Sequence, residues 1–291
     1  MKRSCYNRET MKTFLTDVHT HTTFSPDGKG EMQEMLRCAF EKGVAFYGVS
    51  EHVDYDMQVR GETAYEKPRF TDEEAYFHCG RHEQERYEGV MNVLIGAELG
   101  FADDEVAEKQ YIEFIEKYRP DFIINSIHTL RGRDYCRGVP YREADGVTVR
   151  DKREVYEEYF ALVMRSLEVR YHYDIVGHVG YCTRYAPYEE KGASYREFSK
   201  EWDGVLKGII ERDKILEINT SNKLGVSPTL PDRDILERYF ELGGRKVSYA
   251  SDAHFKERIL DKRELVVEML KEIGFEYVTV PMRGEHIKVR I

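Results

Sequence analysis

Seven short apolar runs punctuate the chain, and each ends in a side chain suited to metal binding or catalysis. Phe14 to Val18 leads into His19 and His21, Val44 to Val49 into Glu51 and His52, and Val93 to Ile95 into Glu98. Phe122 to Ile124 precedes His128, Ile175-Val176 precedes His178, Ile215 to Ile218 precedes Asn219, and Val247 to Ala250 precedes Asp252 and His254. Between them lie stretches with helical spacing: Glu31–Lys42, Thr71–Gly89, Asp103–Tyr118, Arg150–Tyr171, Ser194–Asp213, Asp232–Leu242 and Phe255–Ile273. Thr71 with Glu74, and Ser194 with Glu197, read as capping boxes, while Gly243-Gly244 and Gly274 read as stops. Val106, Ile112 and Ile115 mark one face of the third helix. Strand and helix alternate, which predicts parallel βα units. Chemistry collected at the carboxyl ends of successive strands predicts an α/β barrel with its active site on that face.

The chain has 291 residues, which suits one barrel domain over residues 13–291 behind a loose polar segment, 1–12. Tyr277 to Val280 and His286 to Ile291 suggest a terminal hairpin. The segment 131–148 is polar, contains glycine and follows the fourth strand, so it is expected to overhang the site. No apolar run reaches the roughly eighteen residues of a membrane helix, and residues 1–12 lack the apolar core of a secretory signal. A net charge of −10 disfavours a nucleic-acid partner. Five scattered cysteines without a CxxC pair read as reduced packing thiols in a cytoplasmic protein.

Six of the ten histidines stand at strand ends. His19 and His21 are two apart, so on a strand both imidazoles face one side and can reach one ion. Imidazole with carboxylate suits zinc, iron or manganese. Glu98 lies between Gly96 and Gly100, where backbone must approach something closely, and a carboxylate can bridge two cations. Asp27 sits in an Asp-Gly turn. Asp252 and His254 repeat the two-residue spacing. A serine triad through Ser251 is excluded by its crowding against Asp252 and His254 and by the absence of a GxSxG elbow. His78, His82, His172 and His286 read as ordinary histidines, and Tyr156 and Tyr159 as packing residues.

In order, His19-Thr-His21, Ser50-Glu-His52, Gly96-Ala-Glu98, Ser126-Ile-His128, Gly177-His178 and Ser251-Asp-Ala-His254 resemble the polymerase-and-histidinol-phosphatase (PHP) superfamily. The resemblance runs from about Phe14 to Gly274. Tyr181 to Tyr188 with Arg184, and Glu217-Ile-Asn-Thr-Ser221, look like its histidinol-phosphatase branch. The resemblance implies a distorted (β/α)7 TIM-like barrel holding three divalent ions at the C-terminal ends of the strands. The first ion would take His19, His21, Glu98 and Asp252, and the second Glu98, His128 and His178, with Glu98 bridging. The third would take Asp27, His52 and His254. Two departures stand out: Ser50-Glu51-His52 replaces the commoner Thr-Asp-His, and Asn222-Lys-Leu-Gly225 stands where related phosphatases often carry an arginine.

The activity implied is metal-dependent phosphomonoester hydrolysis, in this branch of histidinol phosphate in histidine biosynthesis. Clustered ions would hold a bridging hydroxide for in-line attack on phosphorus. Arg184 is the leading candidate to read the phosphate. Asn219, Arg131 and Arg133 are further substrate contacts, and Asp252 and His254 are alternative proton donors to the leaving alkoxide. Glu51 and Asp54 flank a ligand and are candidates to orient it. A phosphodiesterase or exonuclease, a phosphatase of another small ester, and a non-catalytic metal scaffold are the competing readings. Oligomeric state is not legible.

Overall fold

Seven parallel strands form one sheet in the order β1-β2-β3-β4-β7-β8-β9. They are β1 (Leu15–Asp17), β2 (Val44–Val53), β3 (Asn92–Gly100), β4 (Ile123–Ser126), β7 (Ile175–Val176), β8 (Ile215–Asn219) and β9 (Val247–Ala250). A computed structural model describes residues 15–55, 70–130, 132–222 and 227–291. The segment 1–12, Arg131 and residues 223–225 therefore lie outside the described residues. The helices α1 (Met32–Glu41), α2 (Glu73–Arg86), α3 (Glu105–Tyr118), α4 (Lys152–Ser166), α5 (Ser199–Glu211), α6 (Arg233–Glu241) and α7 (Arg263–Ile273) alternate with the strands.

The sheet curls until its two edges meet at the carboxyl end. Asp252 N–H donates to His19 O and His21 N–H donates to Ala253 O, both at 2.9 Å. This seam joins β1 to β9 and makes the architecture a nearly closed, distorted (β/α)7 barrel. The interior is filled rather than hollow, as barrels of this type require. A Cβ at Gly96 would lie 2.4 Å from the Phe122 ring, and one at Gly48 2.8 Å from it. Gly100 makes room for the Asp54 carboxylate in the same way, at 2.1 Å. The glycines flanking Glu98 therefore mark real close approaches, one to the core and one to the site.

Helix faces follow burial, with corrections to the sequence reading. α1 buries Met32, Met35, Leu36 and Ala39, an i, i+3, i+4, i+7 stripe. α2 is capped by Asp72, which accepts from Ala75 N–H. Thr71 is not the cap; its hydroxyl donates to His52 O at 2.6 Å. α3 buries Ala107, Tyr111 and Phe114, whereas Val106 is 58% exposed. The aromatic residues bury more area per side chain and set the inward face. α5 starts at Ser199, because Ser194 and Glu197 close a separate turn before it. α7 starts at Arg263, after a short 3-10 turn, Lys256–Arg258.

The terminal hairpin exists and has a place. β10 (Tyr277–Met282) pairs antiparallel with β11 (Glu285–Arg290). Arg283 N–H donates to Asp121 O at 2.7 Å, and Arg283 Nε lies 2.8 Å from Asp121 Oδ1. His286 Nδ1 lies 2.8 Å from Lys246 Nζ. Asp121 and Lys246 precede β4 and β9, so the hairpin lies across the amino ends of the barrel, opposite the chemistry. The segment after β4 forms a small hairpin, β5 (Thr129–Leu130) with β6 (Arg133–Asp134), then two 3-10 turns. No described helix is long and apolar enough to cross a membrane. The described cysteines, Cys38, Cys79, Cys136 and Cys182, are unpaired thiols.

Candidate metal centre

Glu98 occupies the middle of the carboxyl-end face. Register pairs it with His52 on β2 and Ile124 on β4. Its Oε1 lies 3.1 Å from His128 Nε2 and 2.8 Å from His178 Nε2. Its Oε2 lies 3.3 Å from His19 Nε2, 3.5 Å from His21 Nε2 and 2.9 Å from His52 Nδ1. Five imidazoles thus converge on one carboxylate that is 1% exposed. Asp252 Oδ1 adds 3.4 Å to His21 Nε2 and 3.9 Å to His19 Nε2. On the outer side, Asp27 Oδ2 lies 2.8 Å from His254 Nε2 and Asp27 Oδ1 lies 3.7 Å from His52 Nε2. All nine residues singled out as ligands share one face.

The local chain explains how they get there. Asp252 adopts φ +50, a left-handed conformation unusual for a residue with a Cβ. That turn aims its carboxylate back at β1. The turn carrying Asp27 is folded over Glu51, whose carboxylate accepts Thr22 N–H at 2.9 Å and both the Thr22 and Ser25 hydroxyls. Ser25 Oγ in turn accepts His52 N–H at 3.0 Å. A Cβ on Gly28 would lie 1.7 Å from Thr22 O, so this turn needs glycine.

Outer partners fix the rings. His19 Nδ1 meets Glu217 Oε1 at 2.6 Å, His128 Nδ1 meets Asp54 Oδ1 at 3.0 Å, and His254 Nδ1 donates to Asp252 O at 3.0 Å. Each turns Nε2 toward the cluster, where the neutral ring would present a lone pair to a cation, the arrangement that orients histidine as a ligand. Glu217 was not singled out from sequence as a site residue. Its available signal was a carboxylate inside an apolar strand run. It also accepts His178 N–H at 2.7 Å, tying β7 and β8 to the ring of His19.

The electrostatics are conflicted in a way that cations would relieve. Burial, then the neighbouring imidazoles of His52 and His254, push His21 down to about 3. For His52, burial acts downward but is outweighed by Glu98 and Asp27, which push it up to about 9. Burial would raise Glu98, yet His19, His128 and His52 hold it well below the usual carboxylate range. His19 Nε2 and His21 Nε2 stand 3.0 Å apart. Glu98 Oε2 and His52 Nδ1 approach to 2.9 Å out of hydrogen-bonding alignment, and among the described residues these two atoms and Asp27 Oδ1 are buried without a hydrogen bond. Buried polar atoms are seldom left so. The sets His19-His21-Glu98, Glu98-His128-His178 and His21-His52-His254 each place ligand atoms close enough to hold a metal ion.

A cavity of about 380 Å³ opens over this cluster, lined among others by Asp54, Asp134, Tyr181, Arg184, Tyr185 and Phe255. Arg184 reaches it: the side chain is 9% exposed, with Nη2 3.8 Å from Asp252 Oδ2 and its guanidinium over the Tyr181 ring. The Tyr159 hydroxyl accepts Gly180 and Tyr181 N–H, which fixes the turn that carries Arg184. Two expected substrate contacts are placed elsewhere. Asn219 is fully buried behind Asp252, donating to Asp252 Oδ2 at 3.3 Å and Glu217 Oε2 at 3.1 Å. Its amide is consumed in holding those groups. Arg133 is exposed and lines a separate depression with Arg137 and Arg142. The pleat of the short hairpin turns it away from the cavity while Asp134, its neighbour, faces in.

Residues 17–221 match the PHP domain pattern. The chain belongs to the PHP family. A "Probable histidinol-phosphatase" of Clostridium acetobutylicum is 34% identical over 245 residues, covering 84% of this chain and 88% of that protein. The histidinol-phosphatase of Lactococcus lactis is 24% identical over 261 residues, covering 89% of this chain and 91% of that one. A crystal structure of the L. lactis histidinol phosphate phosphatase, complexed with zinc, L-histidinol and phosphate, superposes with a TM-score of 0.80. It shares 23% identity and covers 94% of this PHP chain and 99% of its own, and so establishes the common fold.

Proposed function

We propose that this PHP protein is a metal-dependent phosphomonoesterase whose substrate is L-histidinol phosphate, releasing L-histidinol and phosphate in histidine biosynthesis. The observation that carries the reading is Glu98 at the junction of five imidazoles beneath a cavity that also holds a buried arginine. The near full-length relatives named for that activity support the substrate.

Three divalent ions, zinc, iron or manganese, fit the donor set. His19, His21, Glu98 and Asp252 would hold one, Glu98, His128 and His178 the second, and Asp27, His52 and His254 the third. Bound divalent ions act as Lewis acids toward phosphoryl oxygens and make a water nucleophilic near neutral pH. The chain's own residues do the rest. Arg184 offers a guanidinium to the phosphoryl oxygens, where charge develops during in-line displacement. Glu217, Asp54 and the Asp252 carbonyl hold the imidazoles in the tautomer that presents Nε2. His254 Nδ1–H is engaged by Asp252 O, and its Nε2 faces Asp27. That arrangement commits His254 to holding a cation. Burial would raise Asp252, yet His19, His21 and His254 hold it well below the usual carboxylate range, so it would serve an ion as an anion and has no proton to pass to the leaving alkoxide.

The deciding experiment is phosphate release from L-histidinol phosphate by protein reconstituted with zinc, manganese or iron, against a panel of other phosphate monoesters and a nuclease substrate. A higher kcat/KM for histidinol phosphate than for every other ester supports the assignment. Preference for a phosphodiester overturns it.

A further inference from the structure

Beside the main cavity runs a second, adjoining one lined by Arg184, Tyr185, Ser221, Asp252, His254, Phe255 and Arg258. Two of its lining residues are arginines largely removed from water: the Arg184 side chain is 9% exposed and the Arg258 side chain 12%. Each carries a buried donor without a hydrogen bond among the described residues, Arg184 Nε and Arg258 Nη2. Arg258 Nη2 lies 2.8 Å from Asp261 Oδ2, out of hydrogen-bonding alignment. Asp261 compensates the charge without using up the fork, which has five N–H donors.

The arginine is held firmly. Arg258 N–H donates to Phe255 O at 3.0 Å, and Asp261 N–H donates to Arg258 O at 2.9 Å. Tyr249 Oη donates to Asp261 O at 2.7 Å, and Leu260 N–H donates to Asp17 Oδ2 at 3.1 Å. The 3-10 turn bearing Arg258 is therefore pinned to β9 and β1, the strands that carry Asp252 and His19. A buried guanidinium with spare donors facing a cavity calls for an anion. Two such groups flanking Asp252 and His254 call for one that spans both.

We propose that Arg258 and Arg184 form a two-guanidinium clamp that grips the phosphoryl group during turnover and retains inorganic phosphate after it. This rests on the phosphomonoesterase reading above and adds Arg258 as a substrate-binding residue. The clamp makes phosphate a competitive inhibitor whose affinity depends on Arg258.

The test compares metal-loaded wild type with Arg258→Met and Arg258→Gln, using whichever phosphate monoester the wild type hydrolyses best. The readouts are the inhibition constant of inorganic phosphate, KM and kcat, with metal content measured in each protein. Arg258→Met is expected to raise the phosphate inhibition constant and KM at least tenfold at unchanged metal content. Arg258→Gln, similar in length and less disruptive to the fold, is expected to raise both by a smaller factor. Arg258→Lys should recover part of the loss, since the charge returns but the fork does not. An inhibition constant within twofold of wild type in either neutral variant overturns the clamp, as does a wild type insensitive to phosphate. Failure to hydrolyse histidinol phosphate, with another monoester turned over and phosphate inhibition intact, removes the assigned substrate and leaves the clamp standing.

Discussion

His19 Nδ1 lies 2.6 Å from Glu217 Oε1, although 198 residues separate them in the chain. The same carboxylate accepts the backbone N–H of His178, so one side chain sets two imidazoles. Glu217→Gln keeps the size but turns an amide N–H₂ toward one of those two donors. Outer-sphere losses of this kind typically cost about 10–100-fold in metal affinity or activity. A metal titration followed by assay checks it; unchanged affinity and rate would show that His19 needs no such support.

Glu98→Gln is expected to cost more, over roughly 100-fold in kcat/KM, beyond what an outer carboxylate is worth. Gln cannot bridge two cations as an anion, and the imidazoles of His19, His52 and His128 lose their common counter-charge. Metal per chain, by elemental analysis after dialysis, should fall together with activity.

Asp17 fastens the seam of the barrel, with Oδ1 accepting Ser251 N–H at 3.0 Å and Oδ2 accepting Leu260 N–H at 3.1 Å. Burial raises its pKa to about 6 from 3.8. The native state thus binds this proton more tightly than the unfolded chain does. Its contribution to stability is complete below about pH 3.8 and is lost as pH rises toward 6. That loss is on the order of 3 kcal/mol at most. Urea unfolding of metal-free wild type and Asp17→Asn across this window should show the wild type's lead over the variant shrinking as pH rises. A constant difference would refute the linkage.

Stripping metal with a chelator should destabilise the fold, because the cluster's ligands come from both edges of the sheet. An ion at a hundred times its Kd contributes about 2.7 kcal/mol. For a chain of this size that corresponds to a fall in Tm on the order of 5 °C. Differential scanning calorimetry before and after chelation, with re-addition of zinc, measures it.

Arg184→Met removes a charged hydrogen-bonding group from the cavity wall. Such bonds contribute about 1.5–3 kcal/mol, so kcat/KM should fall roughly 10–100-fold with metal content intact. Steady-state kinetics with elemental analysis separates this from loss of the centre.

The strand ends were readable in the sequence because each functional side chain follows an apolar run, and burial on both faces of a parallel strand makes such runs continuous. The glycines around Glu98 were readable for a similar reason: Phe122 and Asp54 occupy the space a Cβ would need. Helix starts were less so. Asp72 caps α2 although Thr71-x-x-Glu74 offers the commoner pattern, because the Thr71 hydroxyl is spent on His52 O. Val106 carries the helical period of α3 yet faces water, since Tyr111 and Phe114 claim the interior. Asn219 and Glu217 show the deeper limit. Their roles depend on which strands become neighbours: the pairing of β8 with β9 brings Asn219 to Asp252, and the closed seam between β1 and β9 brings Glu217 to His19.

The terminal hairpin gives this architecture a floor. Arg283 and His286 lock it onto Asp121 and Lys246 beneath a core plugged by Phe122. Among the described residues the filled core leaves the carboxyl-end doorway as the way in, so an arriving ester, the departing alcohol and the spent phosphate would take turns at that threshold.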